Sequence, residues 1–294
     1  MRDRKDELDL ETETKTALIT DSACDLTDEQ LKRYHIRMIP LRIICQNAEY
    51  RDRIDLDPDQ IYGIMDNELP KTSLPLPEEL HSLYADLIEN GYTDVIHICI
   101  SSGLSGTWNM IRILSGEYRD RLNIRVVDSK TLSTGLGFMV LAAAMALEDG
   151  ADPDTAVLAA QKVRSTQLGM FVIRTLEYLR KGGRIGLVEG VMGNLLQIKP
   201  IVFVNDDGIY ETLAKARGYK AAVEQMIQEA VKRFGKTQIH LSVVHGQAQE
   251  DAQNLLDRLK QVLNIASNMI APVSPVLAIH TGRGLLGIIA YAAE

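Results

Sequence analysis

A short apolar strand, a polar turn and a capped helix follow one another repeatedly along the first half of this chain, and that alternation restricts the fold more than any other feature. "TALIT" (16–20) leads through Asp21 and Ser22 to "TDEQLKRYH", where Thr27 and Gln30 have capping-box spacing at the start of a helix. "IRMIPLRIICQ" (36–46) is a strand region, and "DPDQIYGIMDN" opens a helix with Asp57 as N-cap and Pro58 at N1. "LPKTSLP" is a turn before the Pro-led helix "PEELHSLYADLIENG". "TDVIHICI" is a strand that feeds a hydroxyl-rich loop and then a helix from Thr107. "NIRVVDS" (123–129) leads through "KTLSTGLG" into an Ala-rich helix to Leu147, and another helix runs from Asp154 to Arg164. Strands alternating with helices predict a parallel sheet covered on both faces.

Past residue 167 the texture changes. "LGMFVI" is a strand, "RTLEYLRKGG" a short helix ended by a glycine pair, and "KPIVFVNDDGIYETLAKA" two strands joined across Asn205 to Gly208. Two long amphipathic helices, 219–233 and 248–263, flank the strand "TQIHLSVVH", and "PVLAIHTGRGLLGIIAYA" reads as two apolar strands around a glycine-rich turn. The expected architecture is α/β in two domains. The N-terminal domain, 16–167, is a doubly wound parallel α/β/α sheet, the C-terminal domain, 168–294, has a mixed sheet, and residues 1–15 form a solvated or disordered tail.

Composition removes several classes of function. The net charge is −8 and no basic run is interleaved with aromatics, so nucleic acid is not an expected partner. The longest apolar stretch, Leu136 to Leu147, falls short of the roughly 20 residues that cross a bilayer, and the N-terminus is charged with no apolar segment suited to secretion. A cytoplasmic protein without an integral membrane segment is expected. Cys24, Cys45 and Cys99 lack C-x-x-C spacing and read as reduced thiols, the six histidines are scattered, and neither a metal site nor a cofactor is called for.

The chemistry-bearing residues gather where an open α/β sheet binds ligands, at the carboxyl ends of its strands. They are Asp21-Ser22, Thr72-Ser73, Ser101-Ser102 with Ser105 and Thr107, and Asp128-Ser129. Hydroxyls and free N–H groups at a helix start favour an anion, while each hydroxyl could equally cap its own helix. "GLSGTWN" has no P-loop lysine, Gly103 to Thr107 misses the G-x-S-x-G elbow by one residue, and "GLGFMV" lacks the third glycine of a dinucleotide fingerprint. Arg184 stands just past a Gly-Gly helix end, over a neighbouring pocket or toward solvent, and His280 at the exit of an expected strand.

Taken in order, "ITDSACDL", "IPLRI", "KTSLP", "ISSGLSGTWN", "VVDSKTLSTGLG", "LEYLRKGGRI", "IKPIVFVNDDGI" and "IHTGRG" closely resemble the DegV family of bacterial fatty-acid-binding proteins, over nearly the whole chain. The resemblance implies two domains enclosing one long-chain fatty acid. In some members it implies the carrier subunit of a fatty-acid kinase, without catalytic residues of its own, which presents the carboxylate to a separate ATP-binding subunit for acyl-phosphate formation. It implies carboxylate binding by Thr72 and Ser102, with neighbouring Ser73 and Ser101, and places Arg184 and His280 near the headgroup, Arg184 toward phosphate transfer. Where members commonly carry Gln after "TS" and Pro in the last turn, this chain has Leu74 and Arg283.

Elementary energetics agree with such a ligand. Burying an acyl chain contributes about 0.8 kcal/mol per methylene, so a dozen give roughly 10 kcal/mol before ordering costs. The acid head must then be hydrogen-bonded, because an unpaired buried carboxylate costs several kcal/mol. Neutral hydroxyls can do this without a buried cation. Two other readings compete: a serine acyl-hydrolase or acyltransferase using Ser102 or Ser105 with His280, and a binding protein for small anions or phosphosugars.

Overall fold

The computed structural model describes residues 15–191 and 197–293. All of the expected tail except Lys15 lies outside the described residues. Four parallel strands form the first sheet in the order β2 (Arg37–Ile39), β1 (Thr16–Asp21), β6 (Asp94–Cys99) and β7 (Asn123–Asp128). Six strands form a mixed sheet in the order β10 (Tyr210–Arg217), β9 (Ile198–Val204), β8 (Leu168–Val172), β13 (Leu286–Ala292), β11 (Gln238–His245) and β12 (Asn264–Pro272). There β11 and β12 run parallel and the other neighbours antiparallel. A small antiparallel sheet, β4 (Glu49–Arg51), β3 (Arg42–Ile44) and β5 (Lys71–Ser73), stands apart from both.

Helices α1 (Asp28–Arg33), α2 (Gln60–Met65), α3 (Pro77–Glu89), α4 (Thr107–Ser115), α5 (Ser133–Glu148) and α6 (Pro153–Thr166) belong to the first half. In the second half are α7 (Glu177–Lys181), α8 (Tyr219–Phe234), α9 (Gln249–Lys260) and α10 (Pro275–Thr281). The elements stack in five layers. Leu80, Tyr84 and Leu87 of α3 and Ile111 of α4 pack on Ile19 and Val95, the outer face of the parallel sheet. Met226, Ile227 and Leu255 of α8 and α9 pack on Ile201, Leu241 and Ile288, the outer face of the mixed sheet. Between the sheets lie α5 and α6: Phe138, Val140 and Ala160 share one cluster with Leu18 and Ile96 on one side and Val202, Val244 and Ile289 on the other. That double burial explains why α5 is apolar on every face. It also explains the glycines of "TGLG": a Cβ on Gly137 would meet the Cys24 carbonyl at 2.6 Å, so they serve close packing.

Local signals were realised where they were self-contained. Thr27 and Gln30 form both bonds of the capping box. Four expectations are corrected. The region 36–46 is two strands in different sheets, because Pro40 between them has no N–H for a ladder. "LPKTSLP" contains strand β5. Helix α2 opens at Gln60 without a side-chain cap, two residues after Pro58. "PVLAIHT" is the helix α10 and not a strand: its seven residues are all buried, so no periodicity marks it, and Pro275 at its start suits a first turn. Strand β12, edging the mixed sheet beside β11, has no counterpart among the expected elements.

In the parallel sheet the chain order reverses between β1 and β6, a topological switch point, and ligand crevices open at the carboxyl ends of such strands. Asp21 bridges those ends, its Oδ2 accepting from the Ile100 N–H (2.7 Å). The hydroxyl-rich loop starts there.

Candidate functional site

Thr72 is carried by β5, opposite Ile43, and His280 by the last turn of α10. Their side chains meet, Thr72 Oγ1 lying 2.9 Å from His280 Nε2. His280 is 9% exposed and its Nδ1 has no partner. Burial, with the Arg184 charge nearby, holds its pKa down at about 4, so the ring is neutral at neutral pH. An orphaned lone pair is tolerated better than an orphaned N–H, and on that ground we assign the proton to Nε2. In this tautomer Nε2–H donates to Thr72, leaving the threonine hydroxyl hydrogen free for an acceptor in the cavity. The glycine pair has two separate purposes. Gly183 sits at φ +71°, the left-handed region. Gly182 has an ordinary backbone, but a Cβ there would lie 2.1 Å from His280 Nδ1.

The loop after β6 uses most of its hydroxyls internally. Ser101 Oγ donates to the Gly208 carbonyl (2.7 Å) in the β9–β10 turn and accepts from the Gly103 N–H (3.1 Å). A Cβ at Gly208 would fall 2.0 Å from that oxygen, so loop and turn meet at backbone distance. Ser102 Oγ accepts from Lys130 Nζ (3.1 Å) and is hydrogen-bonded to Asp128, whose carboxylate also takes the Ser102 N–H (3.0 Å). Burial pulls Asp128 upward, but the bonds from Ser102 and Lys130 outweigh it and hold its pKa below the usual range. Ser105 Oγ pairs with Thr107 Oγ1 (2.8 Å).

Thr72, Ser73, Ser105, Arg184 and His280 all line one cavity of about 200 Å³, together with aliphatic side chains from Leu41, Leu74, Ile100 and Val276. Ser101 and Ser102 lie on the same loop but do not line it. Three further wall residues, Leu132, Tyr210 and Leu277, also line a second, almost wholly apolar cavity of about 40 Å³ bounded by Phe171, Val244 and Ile289. Outward, a third cavity of about 230 Å³ shares Thr72, Arg184 and His280 with the first and adds Lys71 and Lys181. Arg184 Nε donates to the Leu104 carbonyl (3.2 Å) and Nη1 to that of Gly182 (2.7 Å), tying the hydroxyl loop to the end of α7. It has no acidic partner among the described residues. The site is a mixed polar chamber, greasy on its inner side and cationic at its mouth.

Neither Ser102 nor Ser105 is hydrogen-bonded to His280, so the geometry assembles no serine–histidine nucleophile. Among the described residues no cluster of three or more His, Cys, Asp or Glu is placed to hold a metal ion, and no helix is long and apolar enough to cross a membrane. Sequence reasoning missed Tyr210, the wall between two cavities, and Lys71 and Lys181 at the mouth. Tyr210 begins a strand after an Asn-Asp-Asp-Gly turn, and nothing local distinguishes its burial from that of any strand aromatic.

Comparison with known proteins places these features in a lineage. Residues 15–293 match the family model described as "Uncharacterised protein, DegV family COG1307". A DegV domain-containing protein of Clostridium perfringens is 36% identical over 274 residues, covering 93% of this chain and 97% of that protein. Among solved structures, a DegV family protein of Thermus thermophilus described as fatty-acid binding superposes with a TM-score of 0.87 at 29% identity, over 95% of this chain and 100% of that one. DegV of Bacillus subtilis, described as a fatty acid binding protein, gives 0.85 at 27%, over 95% and 100%. A stearic-acid-binding protein of Eubacterium ventriosum gives 0.86 at 26%, over 95% and 98%. With the ordered motifs, the paired parallel and mixed sheets and the family match all in agreement, the chain belongs to the DegV family.

Proposed function

We propose that this protein binds one long-chain fatty acid between its parallel-sheet portion, 16–167, and its mixed-sheet portion, 168–294, as a carrier without a catalytic cycle of its own. The observation that carries this reading is the Thr72–His280 pair at the boundary between an apolar interior and a cationic mouth. The carboxylate is received by Thr72, by Ser73, whose hydroxyl has no partner among the described residues, and by the loop bearing Ser101, Ser102 and Ser105. The tail runs inward past Leu132, Tyr210 and Leu277. The inner cavity, at about 40 Å³, is well below the roughly 150 Å³ that admits a benzene-sized group, so a long chain enters by spreading those three side chains. Fatty-acid binding by the Thermus, Bacillus and Eubacterium relatives supports the same ligand class.

The mouth supports a second step. Arg184 and Lys71 stand beside the head with no acid among the residues lining that space, and Lys181, ion-paired with Glu177 (2.6 Å), adds a third cation at its edge, which suits a polyphosphate brought by a partner. In that step a carboxylate oxygen attacks the γ-phosphorus of ATP held by a kinase subunit. The bond from phosphorus to the β–γ bridging oxygen breaks, ADP leaves, and an acyl phosphate forms with no proton transferred.

Native mass spectrometry of protein purified from a bacterial host tests the first step and is expected to show a co-purified long-chain fatty acid. Protein that carries none and takes up neither oleate nor palmitate would overturn it. For the second, Arg184→Ala is expected to keep oleate binding and lose acyl-phosphate formation with a cognate kinase subunit; an unchanged rate removes Arg184 from that role.

A further inference from the structure

The acidic residues of the "DSACD" stretch and its surroundings line no part of the head cavity, yet they are among the most buried charges in the molecule. Asp52 is fully buried and Asp25 nearly so, and both reach the same short piece of chain. Asp25 Oδ1 accepts the Ser274 N–H (2.9 Å), across 249 residues of sequence, and its other oxygen accepts from Ser133 Oγ. Asp52 Oδ1 accepts the Val276 N–H (3.0 Å), across 224 residues. Between them Pro275 has no N–H, and the next two, of Leu277 and Ala278, donate to the Ser274 carbonyl. Every backbone N–H at the start of α10 is thereby accounted for, and two of them end on carboxylates from the first half of the chain.

The placement of Asp52 makes the clamp specific to the site. It follows β4, its N–H donates to the Leu41 carbonyl beside β3, and β3 pairs with β5, which carries Thr72. The small sheet therefore holds Thr72 directly and His280 through Asp52 and one helix. Ser22 closes the frame, accepting the Leu41 N–H (3.0 Å). We infer that Asp25 and Asp52 are positioning residues, which fix α10 along its axis and so hold the His280 ring in register with the Thr72 hydroxyl. Burial raises the pKa of both carboxyls, that of Asp52 to about 7, as befits groups kept for directed hydrogen bonds and not for exposed charge. The inference takes its ligand meaning from the proposed fatty-acid site; the helix geometry it describes is independent of any ligand.

Two readouts on the same variants keep these apart. Asp52→Leu removes the acceptor for Val276, while Asp52→Asn retains one. In nuclear magnetic resonance, with the His280 signal assigned by its loss in His280→Gln, Asp52→Leu is expected to move the ring's titration midpoint from about 4 toward the ordinary 6.5 and to weaken oleate binding about tenfold. Asp52→Asn is expected to keep both near wild type. Should Asp52→Leu fail to fold, Asp52→Ser, too short to reach the Val276 N–H, carries the same comparison. A folded variant lacking the acceptor whose His280 midpoint and oleate affinity both match wild type overturns the inference, since a role in stability alone would lower the melting temperature and leave both untouched. Wild-type protein that does not bind oleate would instead sink the proposed function, and the His280 midpoint would still decide the clamp.

Discussion

At the scale of single residues the site turns on how few donors face the head cavity. In the assigned tautomer His280 turns the Thr72 hydroxyl hydrogen toward the cavity, so Thr72→Val is expected to weaken oleate binding by about 1.5 to 3 kcal/mol, the range for a hydrogen bond to a charged group. Displacement of a fluorescent fatty acid measures this, and an unchanged affinity would place the carboxylate elsewhere. The two neighbouring glycines separate steric from conformational constraint. Gly182→Ala puts a methyl group onto the His280 ring and is expected to cost about 1 to 3 kcal/mol in urea unfolding while also weakening oleate binding. Gly183→Ala strains only a left-handed backbone with open space around it, at about 1 kcal/mol and no change in affinity. Equal effects of the two on binding would contradict this division.

At the scale of elements, α10 shows where sequence reasoning stops. A capping box is written within four residues, so the start of α1 could be read from Thr27 and Gln30. The start of α10 is written in Asp25 and Asp52, more than two hundred residues away, and its seven buried residues have no polar face to set a period. Thr72 and His280 were both singled out from the chain, but that they touch, across 208 positions, follows only from the folded arrangement of β5 and α10. Ser101 and Ser102 were equally visible as hydroxyls; that one docks the β9–β10 turn and the other contacts Lys130 and Asp128 depends on elements no local pattern brings together.

The buried end of α10 also sets a pH dependence. The folded protein keeps His280 neutral down to about pH 4, whereas the unfolded chain takes up its proton near 6.5. Unfolding therefore binds a proton between these values, and the His280 contribution is present above 6.5 and lost as pH falls toward 4, by up to about 3 kcal/mol. Asp21 and Asp52, both raised to about 7 by burial, act in the opposite sense: the native state retains protons that the unfolded chain releases above 3.8, so their contribution declines as pH rises toward 7. Comparison with His280→Gln cancels the aspartates. The stability advantage of wild type over this variant is expected to be smaller at pH 4.5 than at pH 7 by about 2 to 3 kcal/mol; a constant advantage would mean the ring is hydrated.

At the scale of the whole molecule, the alternation of strands and helices announced the parallel sheet, and the change of texture after residue 167 announced a second sheet of mixed direction. What the pattern did not announce is that α5 and α6 are held in common, with apolar side chains facing both sheets. Cutting the chain after residue 167 would strand the mixed sheet with Phe171, Val202, Val244 and Ile289 open to water, and would leave the other piece with an uncovered helical face. The 168–294 fragment alone is therefore expected to aggregate or bind a hydrophobic dye, and mixing it with the 1–167 fragment to restore a monodisperse complex by size-exclusion chromatography. The two halves are less like neighbouring rooms than like apartments built against one party wall, and neither stands once the wall is taken by the other.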